Sequence, residues 1–238
     1  MDKMDEFALT PAPRPSVEIT GTSARFPVHR IYCVGRNYAD HAREMGSDPD
    51  REPPVFFMKP ADAVVANGAT IPYPPRTANL HHEIELVVAI GQFIGNGGRD
   101  IPRDRALDCV FGYAAGNDLT RRDLQQASKQ KGLPWDTGKG FDGSAPIAAI
   151  RPAARGHLSK GRIWLTVNGQ PRQESDIAEM LWSVPEIIAE VSTLFELAPG
   201  DLIYTGTPAG VGALKPGDRL EGGIEGLEVL RNTIGPRP

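Results

Sequence analysis

Glu83 and Glu85 stand two apart in NLHHEIELVVAIG, residues 79–91. The run reads as a strand, in which alternate side chains share a face. His82, Ile84, Leu86, Val88 and Ile90 then form one nearly apolar side, and His81, Glu83, Glu85, Val87 and Ala89 the other. Same-side neighbours start roughly 6.6 Å apart at a rise of ~3.3 Å per residue, and their carboxylates can converge further. At about 5 Å and an effective dielectric of about 20, the repulsion is roughly 3 kcal/mol. Solvent at an exposed edge would screen it, protonation of one Glu would remove it, and a divalent cation would turn it into attraction. Alone, the stretch leaves a solvated strand end and a metal site both open.

A third oxygen ligand is available in Asp118, at the polar end of DCVFGYAAGNDLT (108–120). Alone it reads as a turn or capping residue. With the two glutamates it completes an all-oxygen triad, a donor set that selects a hard cation such as Mg2+ or Mn2+ over zinc. His81 reads as structural or as hydrogen-bonded behind the ligands. His41 and Glu44 lie three apart in YADHAREM, so a helical turn puts them on one face. They form either a surface charge pair or, if the segment folds over a site, a pair able to deprotonate water. Lys59 in FFMKP and Lys139 in DTGKGFDGSAP are flanked by apolar or turn residues, and Lys139 is a candidate to face an anionic substrate. The glycines of TGTPAGVG (205–212) lack the G-K-[ST] of a P-loop and open no helix, which argues against nucleotide binding. Their N–H groups could still approach an anionic ligand.

These side chains need elements to position them. SVEIT, RIYCVG, VFFMKP and AVVAN read as strands, NYADHAREMG (37–46) as a short helical or loop segment, and SDPDREPP (47–54) as a Pro-bounded loop able to move. Thr120 and Asp123 form a T-x-x-D capping box for a helix RRDLQQASKQK, stopped by Gly132 and Pro134. A strand is expected near SAPIAAI. Asn168-Gly169 in WLTVNGQPRQ is a two-residue hairpin signal. Ser183 and Glu186 make a second capping box, with Pro185 in the first turn of PEIIAEVSTLFE. The C-terminal stretch reads as glycine-punctuated β structure. Two or three helices among roughly a dozen strands predict a β-rich α+β fold, not a doubly wound one. Residues 1–16 are expected as a flexible Pro-rich terminus before a single domain over 17–238.

The composition sets the outer bounds. With 238 residues, 40% hydrophobic and 24% charged, the chain matches an ordinary soluble globular protein of one large domain. A formal net charge of −4 gives no basic footprint for nucleic acid. MDKMDEFALTPAPRPS lacks an apolar h-region, so no secretory signal is expected, and no apolar run approaches the ~20 residues of a membrane span. Cys33 and Cys109 lie in apolar surroundings and are expected as buried free thiols, which suits a reducing cytoplasm.

GRNYADHAREMG, PPVFFMKPADAVV, NLHHEIELVVAIG, GNDLTRRDLQ, KGLPWDTGKGFDGSAPI, VNGQPRQ and LAPGDLIYTGTPAGVG closely resemble the fumarylacetoacetate hydrolase family, in its short acylpyruvase-like branch. The resemblance covers residues 17–235. REPPVFFMKPADAVV and WDTGKGFDGSAP are most similar to members that hydrolyse fumarylpyruvate in gentisate-type aromatic catabolism. The family holds its metal with the two glutamates of an H-x-E motif and a later aspartate. The resemblance thus implies Glu83, Glu85 and Asp118 as ligands of Mg2+ or Mn2+. It implies His41 and Glu44 as the water-activating pair and Lys139 as the active-site lysine. Arg122, Lys59 and Thr207 match positions near the substrate. A mixed β-sandwich roll with a few short helices and a homodimer are implied as well.

The implied reaction is hydrolysis of the C–C bond of a 2,4-diketo acid. Glu44, working with His41, would draw a proton from the attacking water, and Lys139 would stabilise the oxyanion. Fumarylpyruvate carries a second carboxylate at the far end of its acyl group, and Arg36 and Arg122 are candidates to pair with it. Rival readings on the same metal are an oxaloacetate decarboxylase and a 2-oxo acid isomerase or tautomerase. A 2-His-1-carboxylate iron oxygenase lacks a second well-placed histidine, and a silent binding protein would not need a complete water-activating pair.

Overall fold

The computed structural model describes residues 7–46, 53–92 and 97–237; most of the loop read at 47–54 lies outside them. Its centre follows from the alternation in the 79–91 run. Ile84–Ile90 forms a strand buried along its whole length. Ile84, Leu86, Val88 and Ile90 enter one hydrophobic cluster, while Val87 and Ala89 enter a second. The glutamate side is therefore as dry as the apolar side, and solvent does not screen its charges.

This strand is third in a six-stranded sheet ordered Arg151–Pro152, Val110–Asn117, Ile84–Ile90, Leu202–Tyr204, Ile31–Gly35 and Val55–Lys59. Leu202–Tyr204 runs parallel to Ile31–Gly35 and antiparallel to Ile84–Ile90. A five-stranded sheet packs against one face. Its Arg162–Val167 and Arg219–Ile224 strands contribute Ile163, Leu165, Leu220 and Ile224 to the first cluster. Among the described residues four α-helices accompany eighteen strands: α1 (Ala39–Glu44), α2 (Arg122–Gln130), α3 (Asp136–Lys139) and α4 (Val184–Leu194). Ile187, Ile188 and Val191 of α4 fill the first cluster. The β-rich α+β class is as expected. The excess of strands comes from two- and three-residue pieces such as Ala145–Pro146, which is all that SAPIAAI contributes. No helix among the described residues is long and apolar enough to cross a membrane.

Local signals held where nothing competed with them. Asn168 and Gly169 take φ of 52° and 76° between two antiparallel strands, as a type I′ turn requires. Ser183 and Glu186 form the capping box of α4. Both cysteines are free and buried. The other capping box is overturned. Thr120 lies in a strand paired with His81, and α2 starts at Arg122 with no side-chain cap. The Thr120 hydroxyl accepts from Lys139 Nζ at 2.7 Å, and the Asp123 carboxylate accepts from Thr77 Oγ1 at 2.6 Å. A buried ammonium needed that hydroxyl more than a helix end did.

Candidate active site

The strand breaks where the chemistry begins. Leu80–His82 belongs to a small sheet between Thr120–Arg121 and Gly212–Leu214, and Ile84–Ile90 to the six-stranded one, which leaves Glu83 at the junction. The Glu83 N–H donates to Asn117 Oδ1 at 2.8 Å, and its carbonyl accepts from the Asp118 N–H at 2.8 Å. Strand register sets Glu85 opposite Gly116. A Cβ on Gly116 would fall 2.5 Å from Val87 Cγ2, so glycine permits the close packing beneath the site. Glu83, Glu85 and Asp118 are all buried and offer ligand oxygens within 4.8 Å of one another.

Cations reach two of these carboxylates. Lys139, which ends α3, donates from Nζ to Glu83 Oε2 (2.8 Å), Asp118 Oδ2 (2.6 Å) and Thr120 Oγ1 (2.7 Å). That occupies all three ammonium hydrogens. Lys59 Nζ lies 2.7 Å from Asp118 Oδ1, an ion pair without hydrogen-bond geometry, and donates to the carbonyls of Leu119 and Lys139. Arg122 pairs with Glu83 Oε1, and its Nη1 donates to Gln125 Oε1 at 2.6 Å. Glu85 differs. Among the described residues it pairs with no cation and accepts one hydrogen bond, from the Gly206 N–H at 2.8 Å.

Protonation follows this asymmetry. Burial alone pushes Glu83 up, but the Lys139 ammonium and Arg122 guanidinium outweigh it and hold its carboxyl well below the usual range. Burial, reinforced by Asp118 and Glu83, pushes Glu85 well above that range. Burial works against the charged form of Lys139, yet Asp118 and Glu83 raise its pKa. His81 is pressed down to about 4 by burial and then by Arg122. Neutral near pH 7, it accepts from Arg122 Nε at 3.4 Å and donates to Asn79 Oδ1 at 2.9 Å. A divalent cation fits this donor set: three buried hard oxygens converge, Asp118 Oδ1 lacks a hydrogen bond, and Glu85 lacks a counter-charge.

The glycine loop after Tyr204 turns its amides to protein carboxylates rather than to an outside anion. Gly206 N–H serves Glu85, and Gly210 N–H reaches both Glu44 oxygens at 3.2 Å. His41 Nδ1 lies 3.2 Å from Glu44 Oε2. A carboxylate only accepts, so Nδ1 carries the hydrogen of this contact. The His41 hydrogen bond, against a smaller effect of burial, lowers the Glu44 pKa. Asn37 ties the start of this segment down, donating from Nδ2 to the Trp182 and Thr205 carbonyls and accepting the Trp182 N–H.

One cavity collects most of the residues singled out from sequence. Glu83, Glu85, Asp118, Lys139, His41 and Thr207 line it, as do Arg36 and Arg122; Glu44 stands behind His41, and Lys59 does not line it. Val34, Phe57, Met45 and Trp135 supply apolar wall. Gln173 was not foreseen. Its Oε1 accepts from the Ile84 N–H and meets His82 Nδ1, while Nε2 donates to Thr207 Oγ1 and the Pro208 carbonyl. It thereby holds the ligand strand against the glycine loop. Its strand, QPRQESD, is polar throughout, so alternation gave no hint that this side chain is buried. Asn117 had a signal, as one of two adjacent polar residues ending an apolar strand.

The chain resembles known proteins in both sequence and fold. Residues 30–235 match the family described as Fumarylacetoacetate (FAA) hydrolase C-terminal. A crystal structure of fumarylpyruvate hydrolase from Pseudomonas aeruginosa in complex with Mn2+ and pyruvate is 51% identical. It covers 98% of this chain and 100% of its own, with a TM-score of 0.94. Fumarylpyruvate hydrolase of Ralstonia sp is 46% identical over 81% of this chain and 99% of its own length. The mitochondrial oxaloacetate tautomerase of Homo sapiens is 47% identical over 83% of this chain and 87% of its own length.

Proposed function

This chain belongs to the fumarylacetoacetate hydrolase family, and we propose that it hydrolyses fumarylpyruvate, a 2,4-diketo acid, to fumarate and pyruvate in aromatic catabolism. One observation carries the reading: the buried carboxylate triad and a histidine oriented by a carboxylate line the same cavity. Glu83, Glu85 and Asp118 would hold Mg2+ or Mn2+, which when bound supplies Lewis-acid polarisation of the diketo acid.

The chain's own groups do the rest. Glu44 keeps the proton of His41 on Nδ1, so Nε2 takes a proton from water as the water oxygen adds to the C4 carbonyl. The C3–C4 bond then breaks, its electron pair passes to C3, and the imidazolium can return its proton there. The proton is given to His41 and orientation to Glu44, a reading supported by His41 lining the cavity where Glu44 does not. Lys139 holds Glu83 and Asp118 in register and keeps a positive charge beside the developing oxyanion. Lys59 and Arg122 act on the substrate through Asp118 and Glu83. The enzyme is proposed to act as a homodimer in the cytoplasm, where two free thiols persist.

A second reading, oxaloacetate tautomerisation, is favoured by the tautomerase relative. Purified protein with Mn2+ or Mg2+, assayed on fumarylpyruvate, acetylpyruvate and oxaloacetate, separates the two. Release of pyruvate from fumarylpyruvate supports the hydrolase. Keto–enol exchange of oxaloacetate with no pyruvate released from either acylpyruvate would replace it by the tautomerase.

A further inference from the structure

The cavity runs from a buried floor to an exposed mouth. Glu83, Glu85 and Asp118 form its buried floor, whereas Gln126 and Lys129 are exposed at its mouth. Arg122, Gln125, Gln126 and Lys129 follow the i, i+3, i+4, i+7 pattern, so one face of α2 runs from floor to mouth. Seven residues of helix place Lys129 about 10 Å beyond Arg122.

Arg122 is committed at the floor. It serves Glu83, Gln125 and His81. Lys129 is not: among the described residues its ammonium makes one hydrogen bond, a 3.4 Å contact with the Met45 carbonyl, and it pairs with no carboxylate. Arg36 lines the same cavity, held at φ 60° between Gly35 and the anchored Asn37. An L-residue in that region is uncommon and marks a backbone the surrounding fold has forced. Burial, then Arg36 and Arg122, press down the Lys129 pKa.

We propose that Lys129, together with Arg36, binds a carboxylate at the far end of the substrate's acyl group and makes this enzyme selective for diacids. This rests on the hydrolase reading above and assigns the far-end contact to α2's last turn instead of to Arg122. The apolar wall of Phe57 and Trp135 suits the carbon chain between the two charged ends.

The test compares Lys129→Met, Lys129→Arg and the parent, each loaded with Mn2+, with Lys131→Met as an off-cavity control for charge. Two readouts are needed. The first is the ratio of kcat/KM for fumarylpyruvate to that for acetylpyruvate. The second is calorimetric affinity for fumarate, which needs no turnover. Lys129→Met should lower the ratio by at least about tenfold, mainly through KM, and weaken fumarate binding by a similar factor. Lys129→Arg should restore most of both, and Lys131→Met should change neither. An unchanged ratio with unchanged fumarate affinity in Lys129→Met overturns the proposal, as does a parent that binds no fumarate. If the parent cleaves neither acylpyruvate yet Lys129→Met still weakens fumarate binding, the subsite stands and the hydrolase reading falls.

Discussion

Gly206 donates its amide hydrogen to Glu85 Oε2 at 2.8 Å across 121 positions of sequence, and it is the one hydrogen bond that this ligand candidate receives among the described residues. The contact depends on glycine. Gly206 has φ +97°, and a Cβ there would lie 2.7 Å from Asn37 Cβ. Gly206→Ala should destabilise the protein by more than about 1 kcal/mol, the usual cost of that conformation for an L-residue. Gly46→Ala, at φ +70° in open space, is the control for backbone strain without collision. Thermal melts should show the larger loss for Gly206→Ala, and equal losses would show that the Asn37 contact does not matter.

Glu85 should make the metal response pH-dependent. Its folded pKa is raised, so its contribution to stability is present below the unfolded value and lost as pH rises through the folded one. Metal-free protein should therefore weaken as pH climbs above the ordinary carboxylate range, and Glu85→Gln should weaken less. Mn2+ favours the ionised carboxylate, so the rise in Tm on adding Mn2+ should grow in the parent as pH climbs above the ordinary carboxylate range toward the raised folded value. Glu85→Gln should show little rise at any pH. An equal Mn2+ effect in both proteins would exclude Glu85 as a ligand.

His41 and Glu44 should separate catalysis from metal binding. His41→Ala removes the base and should cut kcat about a hundredfold or more. Glu44→Gln leaves the imidazole without its carboxylate and should lower kcat less. Both variants should keep the Mn2+-induced rise in Tm, since neither residue belongs to the triad. Parent-like turnover in His41→Ala would mean that another group activates the water.

Lys59 tests the buried charge network. It is 2% exposed and lies 2.7 Å from Asp118 Oδ1. Lys59→Met leaves that carboxylate short of a counter-charge in a dry interior, a change that typically costs about 3–5 kcal/mol. The expected result is a large loss of Tm in metal-free protein, partly recovered by Mn2+. A melting curve like that of the parent would show that Lys139 alone balances Asp118.

The sequence made the floor of this site readable because two like charges on one side of a strand are costly and ask for an explanation. Alternation placed Ile84, Leu86, Val88 and Ile90 together, and they do share one cluster. Alternation could not show that the glutamate side is also buried, nor that the chain passes from one sheet to another at Glu83. Thr120 and Asp123 matched a local capping rule that lost to a long-range partner 19 residues away. Gln173 and Asn37 work through backbone groups 89 and 168 positions distant, and no local pattern encodes such partners. Strands of two residues escaped notice because they are too short to show a period.

Leu202–Tyr204 enters the six-stranded sheet between strands made far earlier in the chain. During synthesis, Ile84–Ile90 and Ile31–Gly35 must therefore wait with facing edges open until residue 204 has emerged. Both are apolar, and open apolar edges invite pairing with other chains. The ribosome thus releases the keystone strand and the amide for Glu85 almost together, so the sheet and its site close in a single late event. A chain stopped short of residue 202 would be a sticky half-sheet whose Glu85 lacks its amide donor, not a weaker enzyme.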